Sequence, residues 1–477
     1  MEVGNASVRL VNPAATLAPE PPESAPSYGL KTATLSASET LAQSVALIAP
    51  TGAPVMTVPL VFGMAGEGCA IAFLISTISI LLVALNVNQF ARISSSPGSL
   101  YTYIADHMHP RFGVLAGWAL VIAYVGTGAA VSAGMTNYAN VILHDRFGVV
   151  APAIFLTAAA VVVACYLAYR DVQMSTRLML WLEGASVALI ALVAFGIIVK
   201  HGWRPDMGQL TLQGVTAEKL RLGLVLAMFS SVGFESATSL GSEAKNPLTT
   251  IPKAVKWSAI LAGLFFFLCA YAEVLGFRGE AITLDKSIAP LHVLAQKAGL
   301  PAVVGTLTDM GAVVTFFSCV LACITAAARV LFLMSRHGAL HAVLGEAHEQ
   351  NQTPHRAVLL SAIAAFVPAG IMAIRGIDMF DIYGLVGTLA TFGFVTAYIL
   401  IAIAAPLYLQ SLGRLTVHAI CISVLAVVAM GFALLGSLYP VPAAPYSFLP
   451  YIYLALLLAG FTWSTVWSAR PTSLASE

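Results

Sequence analysis

Residues 229–236 read Phe229-Ser230-Ser231-Val232-Gly233-Phe234-Glu235-Ser236, inside an apolar stretch that runs from about 219 to 242. The stretch is long enough to cross a bilayer as a helix. A serine pair, a glycine and a carboxylate in its middle argue against an unbroken one. Unpaired backbone is tolerated at membrane depth only where it lines protein or a water-filled cavity. A second interruption lies in Val45-Ala46-Leu47-Ile48-Ala49-Pro50-Thr51-Gly52-Ala53-Pro54. Two prolines four apart remove two backbone donors and clash with the preceding turn.

The rest of the chain sets these breaks in a membrane. Of 477 residues, 59% are hydrophobic and only 9% charged, against about 25% charged in soluble domains. Such a chain lacks the polar surface to face water on all sides, so lipid must solvate it. That excludes a soluble enzyme and a disordered scaffold. A net charge of +1 and the lack of a basic run exclude a nucleic-acid partner. No phosphate-cradling G-x-x-x-x-G-K-[ST] loop occurs, so ATP is not expected to drive the protein directly. The six cysteines show neither metal spacing nor a secreted disulfide pattern.

Twelve apolar spans are expected, near 39–64, 68–91, 112–143, 151–169, 176–199, 219–242, 252–277, 304–335, 357–374, 379–408, 415–438 and 447–468. The fold expected is therefore an all-α integral membrane protein. Residues 1–38, rich in Pro, Ala and Ser, read as a disordered cytoplasmic tail. A core over 39–410 follows, then two further helices and a short C-terminus over 411–477. With both termini inside, thirteen of the 23 Lys and Arg fall on cytoplasmic segments, nine on outer ones, and Arg329 within a span. This modest bias favours a multi-pass protein of the cytoplasmic membrane with both ends in the cytoplasm.

The two breaks, in spans 1 and 6, occupy corresponding positions if spans 1–5 and 6–10 are two halves (about 39–199 and 219–408). Matched interrupted helices are the best sequence pointer to a midplane binding site in a transporter. Each break frees N–H groups suited to a carboxylate and C=O groups suited to an ammonium or a cation. A zwitterionic amino acid matches both. The competing account is a pair of ordinary proline kinks and packing glycines.

The residues around the second break resemble a known family. Gly233-Phe234-Glu235, then Glu243-Ala244-Lys245-Asn246-Pro247 and Ile251-Pro252-Lys253-Ala254, look like those of an amino acid permease of the amino acid–polyamine–organocation superfamily. Ala328-Arg329-Val330-Leu331, Met334-Ser335-Arg336-His337-Gly338 and Thr353-Pro354 also fit. The resemblance covers about 39–410 and implies a five-plus-five inverted repeat with broken helices 1 and 6, alternating access and two added C-terminal helices. It implies substrate held between spans 1 and 6. Carried across by position, Phe229 matches the aromatic gate. Ser230, Ser231 and Gly233 line the unwound stretch of span 6, and Thr51, Gly52 and Ala53 supply the carboxylate-binding turn of span 1. Pro54 stands where the family usually has a second glycine, and it has no N–H to give.

Ionisable groups inside spans are expected to be functional, because a charge in the bilayer core is costly. Glu235 is a candidate coupling group that takes up and gives back a proton, or else a cap on freed backbone. Some family members carry a span-5 lysine in place of a sodium ion; that position falls here at Ser186. Glu183, one turn earlier, then relays a proton, or Ser186 leaves a sodium site open, or Glu183 simply pairs with a neighbouring helix. Tyr124 in span 3 is a candidate for lining the pocket. Arg329 is expected to snorkel or to pair with a cytoplasmic carboxylate. Glu273 and Asp309 are expected at the interface rather than buried. The histidines at 337, 341, 348 and 355 read better as a polar loop than as a metal site.

The function expected is secondary active transport, most simply proton-coupled uptake of a neutral amino acid, since the nameable pocket residues (Ala49, Thr51, Ala53, Ser230, Ser231) are small. An amine or polyamine permease and an exchanger remain open. A membrane sensor of transporter fold and an integral membrane enzyme are the readings from other classes. No metal or organic cofactor is expected, only a proton gradient, or alternatively a sodium one. Oligomeric state is not legible.

Overall fold

The computed structural model describes residues 29–31, 33–170 and 174–468, with the side chains of 174–179 and 468 left aside. Among the described residues the chain is helical throughout, with no strand and one isolated bridge, Leu35 to Ala244. Eleven stretches are long and apolar enough to cross a membrane. The first, Ala37–Ala91, holds two of the expected spans, which turn back at Gly66–Gly68, so twelve spans are accounted for.

Span 1 is α1 (Ala37–Ile48), a π-turn (Ala53–Thr57) and α2 (Val58–Ala65). Spans 2–5 are α3 (Cys69–Ala91), α5 (Pro110–Phe147), α6 (Ala153–Arg170) and α7 (Met174–Lys200). The short α4 (Ser99–His107) precedes α5, and the single turn α8 (Met207–Leu210) follows α7. Span 6 is α9 (Ala217–Ser231) followed by a 3-10 segment, Phe234–Leu240. Then come α10 (Pro247–Gly276), the loop helix α11 (Pro290–Lys297), α12 (Ala302–Arg336), α13 (His355–Ile374), α14 (Met379–Ser411), α15 (Val417–Gly436) and α16 (Leu449–Ser468).

Burial sorts the spans into a centre and a rim. Over their most apolar stretches, span 6 is 89% buried, span 8 (α12) 83% and span 3 (α5) 72%. Spans 4, 11 and 12 are each 28% buried. Their outward faces carry Val162, Val428, Phe432 and Leu454, exposed as lipid-facing side chains are. Small residues let the central helices approach closely. A Cβ on Gly393 of α14 would lie 2.4 Å from the Ala119 carbonyl of α5, and one on Gly126 of α5 would lie 3.0 Å from Ala390.

We call the face where α1 begins the near face and its opposite the far face. The chain that leads into span 1 is tied to the stretch after span 6. Ser36 and Glu39 form a capping box that starts α1. Just before it, the Leu35 N–H donates to the Glu243 carbonyl (2.9 Å) and the Lys245 N–H to the Leu35 carbonyl (2.9 Å). Backbone next to span 6 thus offers the residues just before α1 a partner. Residues 1–28 lie outside the described residues.

On the far face Arg278 binds both Asp206 (2.8 Å) and Glu67 (2.5 Å), tying three connections together. Burial works to raise the Asp206 carboxyl, yet hydrogen bonds from Arg278 and Gln209 hold it below its ordinary range.

Candidate functional site

The site is built around the two breaks, and prolines explain the first. α1 ends when Ala49 adopts a left-handed conformation (φ 50°). Beyond it, Pro54 has no N–H, and the next backbone bond skips a register: Val58 N–H donates to Ala53 C=O, the i−5 bond of a π-turn. Pro59 likewise cannot donate to the Val55 carbonyl. Tyr138 of α5 supplies that bond instead, its hydroxyl 3.0 Å from Val55 O.

The amides expected to receive a substrate carboxylate are already engaged in this conformation. Thr51 N–H donates to Glu183 Oε1 of α7 (2.9 Å), and the Thr51 hydroxyl sits 2.9 Å from the same oxygen and 3.0 Å from Ser186 Oγ. Gly52 N–H donates to Ala49 C=O (2.8 Å). The structure thus brings Thr51, Glu183 and Ser186 together. Glu183 is 5% exposed, and a carboxylate of the protein itself occupies the donor at the start of the half-helix. A Cβ on Gly52 would lie 2.7 Å from the Phe316 ring, so that ring packs directly on the break.

The second break is held by hydroxyls. Val232 is extended, and Gly233 takes φ 90°, which disfavours any residue with a Cβ. Leu47 of α1 fills the space a Cβ would need, its Cδ2 within 1.9 Å of that position. Glu235 is fully buried. Tyr124 of α5 donates to its Oε1 (2.9 Å) and Tyr398 of α14 to its Oε2 (2.6 Å). The Tyr398 hydroxyl also accepts the freed Gly233 N–H (3.3 Å). Tyr398 and Glu235 thus sit together at that freed amide, each hydrogen-bonded to the other. Ser44 of α1 spans both breaks, donating to Phe234 C=O (2.8 Å) and accepting from Ala237 N–H (3.2 Å).

Phe229, expected as the gate, is buried and stacks edge-on against Tyr383 of α14, ring centroids 5.5 Å apart. Phe316 lies 5.8 Å from Tyr383, and Tyr138 lies 6.3 Å from Phe316. These four rings form one aromatic layer on the far side of the breaks, and the Tyr383 hydroxyl bonds Thr57 of the π-turn (2.9 Å). Ser231 meets Ser76 of α3 (3.3 Å), while the buried Ser230 hydroxyl has no partner among the described residues. Ala49 and Ala53 are buried in span 1.

On the near side, a cavity of about 100 Å³ runs between α1, α6, α7 and α12. Glu39, Glu243, Arg329 and Thr353 line it toward the near face, and Glu183 lines its deep end. Arg329 does not snorkel: it grips Glu243 in a two-pronged buried pair (2.7 and 2.8 Å).

Two expectations are corrected. Glu273 and Asp309 are not interfacial but 1% and 2% exposed, because α10 and α12 run past them and α11 covers the far end of the bundle. Asp309 is paired to His292 of α11 (2.9 Å). Among the described residues no group of three or more His, Cys, Asp or Glu could hold a metal. Sequence reasoning missed Tyr398, Tyr383, Phe316 and Ser44. Each carries an ordinary span residue's signature, and only contact with a distant break marks it.

An all-helical bundle with breaks in spans 1 and 6 facing each other defines a membrane transporter's architecture. The amino acid permease family model matches residues 40–473, and the chain belongs to that family. Its members are permeases, not enzymes. A branched-chain amino acid permease of Bacillus subtilis is 26% identical over 71% of this chain and 73% of its own length. The methylthioribose transporter of the same species is 26% identical over 78% and 80%. A low-affinity putrescine importer of Escherichia coli is 22% identical over 71% and 74%. The chain is thus a multi-pass membrane transporter of the amino acid permease family.

Proposed function

We propose that the protein takes up a neutral amino acid into the cytoplasm, driven by protons, by alternating access between the near and far faces. Spans 1–5 and 6–10 act as the two inverted halves, and the near face is the cytoplasmic one, as the Lys and Arg bias favours. The observation that carries the reading is the bond from Thr51 N–H to Glu183. Ionised Glu183 holds the donor that a substrate carboxylate needs. Protonation removes that charge, weakens the bond and frees the amide for substrate. Proton and amino acid then favour each other's binding, which is the thermodynamic requirement for symport.

A neutral side chain is supported by the small, uncharged lining of Ala49, Thr51, Ala53, Ser230 and Ser231, and by Glu235, whose two oxygens already accept from tyrosines. A branched-chain permease among the relatives is consistent with this. An amine permease is the second reading. It is favoured by the putrescine-importing relative and by the carboxylates of Glu39 and Glu183 along the near-side cavity.

The test is uptake into proteoliposomes of labelled neutral amino acids, putrescine and methylthioribose, under an inward proton gradient, an inward sodium gradient, or neither. Proton-driven accumulation of a neutral amino acid, lost in Glu183→Gln and weakened in Glu235→Gln with the protein still folded, is the expected result. Accumulation driven by sodium alone, or uptake only into preloaded vesicles, overturns proton symport. Selective transport of putrescine establishes the second reading. Phe229→Ala is expected to reduce uptake more than any single change in spans 11 and 12.

A further inference from the structure

The far half of the bundle holds a carboxyl that the transport reading does not use. Glu273 lies three residues before the end of α10 and is 1% exposed. Among the described residues neither of its side-chain oxygens has a hydrogen-bond partner, and neither is reached by solvent. Its electrostatic neighbours are the thiols of Cys69 and Cys269 and the phenol of Tyr138. The Cys69 thiol is directed at the Val58 carbonyl (3.7 Å) and the Tyr138 hydroxyl at the Val55 carbonyl. None of these is a cation.

Five basic side chains of the far face are committed elsewhere. Arg278 is held by Asp206 and Glu67, Lys297 by Glu280 (2.6 Å), and His292 faces Asp309. Lys200 of α7 donates to the Lys297 carbonyl, and Arg221 of α9 to the Pro440 carbonyl (3.1 Å). The other groups on elements packed against α10 lie elsewhere. Glu39 on α1, Glu183 on α7 and Glu235 in the 3-10 segment belong to the near half and the breaks. Glu218 and Lys219 sit in the exposed first turn of α9, and α2 carries no charge. An ionised carboxylate so placed would be a desolvated charge without compensation, an arrangement that proteins avoid by neutralising the group.

We propose that Glu273 is a proton-binding site in the far half of the bundle, loaded whenever that half is closed around it. The step is simple: a carboxylate oxygen takes a proton from far-side water as that water leaves, and returns it when water re-enters. The ligand is the proton itself. The site is separate from the Thr51–Glu183 contact and from Glu235. Tyr138 lies between it and the π-turn of span 1, so the loaded site adjoins the aromatic layer that covers the breaks.

The test uses full-length protein in phosphatidylcholine vesicles with no substrate. Its infrared spectrum at neutral pH should contain the carbonyl stretch of a protonated carboxylic acid that has no hydrogen-bond partner. Glu273→Gln should remove that component, while Glu183→Gln and Glu235→Gln should keep it. A carboxylic-acid region unchanged in Glu273→Gln overturns the proposal. Glu273→Met gives an independent check if the first variant does not fold. An unpartnered neutral carboxyl can be replaced by an apolar side chain of similar volume with no loss of thermal stability. A clear fall in unfolding temperature would mean that the carboxyl is ionised and compensated, and would overturn it too. Neither measurement involves transport, so either outcome leaves the proton-symport reading to its own test.

Discussion

The two broken helices meet each other but solve the same problem with different chemistry. In span 1 the freed Thr51 amide is satisfied by Glu183, a group that can change charge. In span 6 the freed Gly233 amide is satisfied by the hydroxyl of Tyr398, which in turn braces Glu235. A bond to a carboxylate is strong when the acid is ionised and weak when it is not. A bond to a phenol does not vary over the same pH range. Span 1 is therefore the break that can be switched, and span 6 is the one built to stay put.

The sharpest way to break this contrast is Gly233→Ala. A methyl group there meets Leu47 and forces a positive φ on a residue that resists it. A destabilisation of about 3 kcal/mol is expected from the conformational and overpacking costs combined, read as a large fall in thermal unfolding temperature and in folded yield. Tyr398→Phe is next. It removes one acceptor from the Gly233 N–H and one donor from Glu235, at a cost of about 2 kcal/mol, and uptake should fall at every pH. Glu183→Gln acts differently: the amide oxygen can still accept from Thr51, so stability should barely change while the proton dependence of uptake is lost. A stability loss as large as that of Tyr398→Phe would show that both breaks are structural clamps. Thr51→Val should be the mildest, about 1 kcal/mol, because it removes the hydroxyl but keeps the amide bond to Glu183; uptake and thermal unfolding measured together would separate it from Glu183→Gln.

Most of the fold was legible because lipid imposes few options. Twelve apolar runs, two of them interrupted, define the spans to within a few residues. Both interruptions announce themselves chemically, one by Pro50 and Pro54, the other by Gly233 and Glu235. The site was legible only in part. Thr51, Glu183 and Ser186 were each singled out, but nothing local says that they touch across 132 and 135 residues of chain. Tyr398 and Tyr124 look like any buried aromatic until Glu235 is placed between them. Glu273 and Asp309 were misjudged because distance from a span's end measures depth along one helix. Burial depends on what packs beside it, here neighbouring helices and the loop helix α11.

The bridge between Leu35 and Ala244 has a mechanical consequence. With Ser44 bonded to Phe234 and Ala237, and Ser236 to the Gln43 carbonyl (3.2 Å), it rivets α1 to the near half of span 6 at several points. Each of these two pieces meets its own break at a left-handed residue, Ala49 in one and Gly233 in the other. Two joints facing each other, with a riveted plate below them, make a single lever. A fluorophore attached at residue 33, whose N–H donates to the Ser242 carbonyl (3.2 Å), would therefore register movement of that lever.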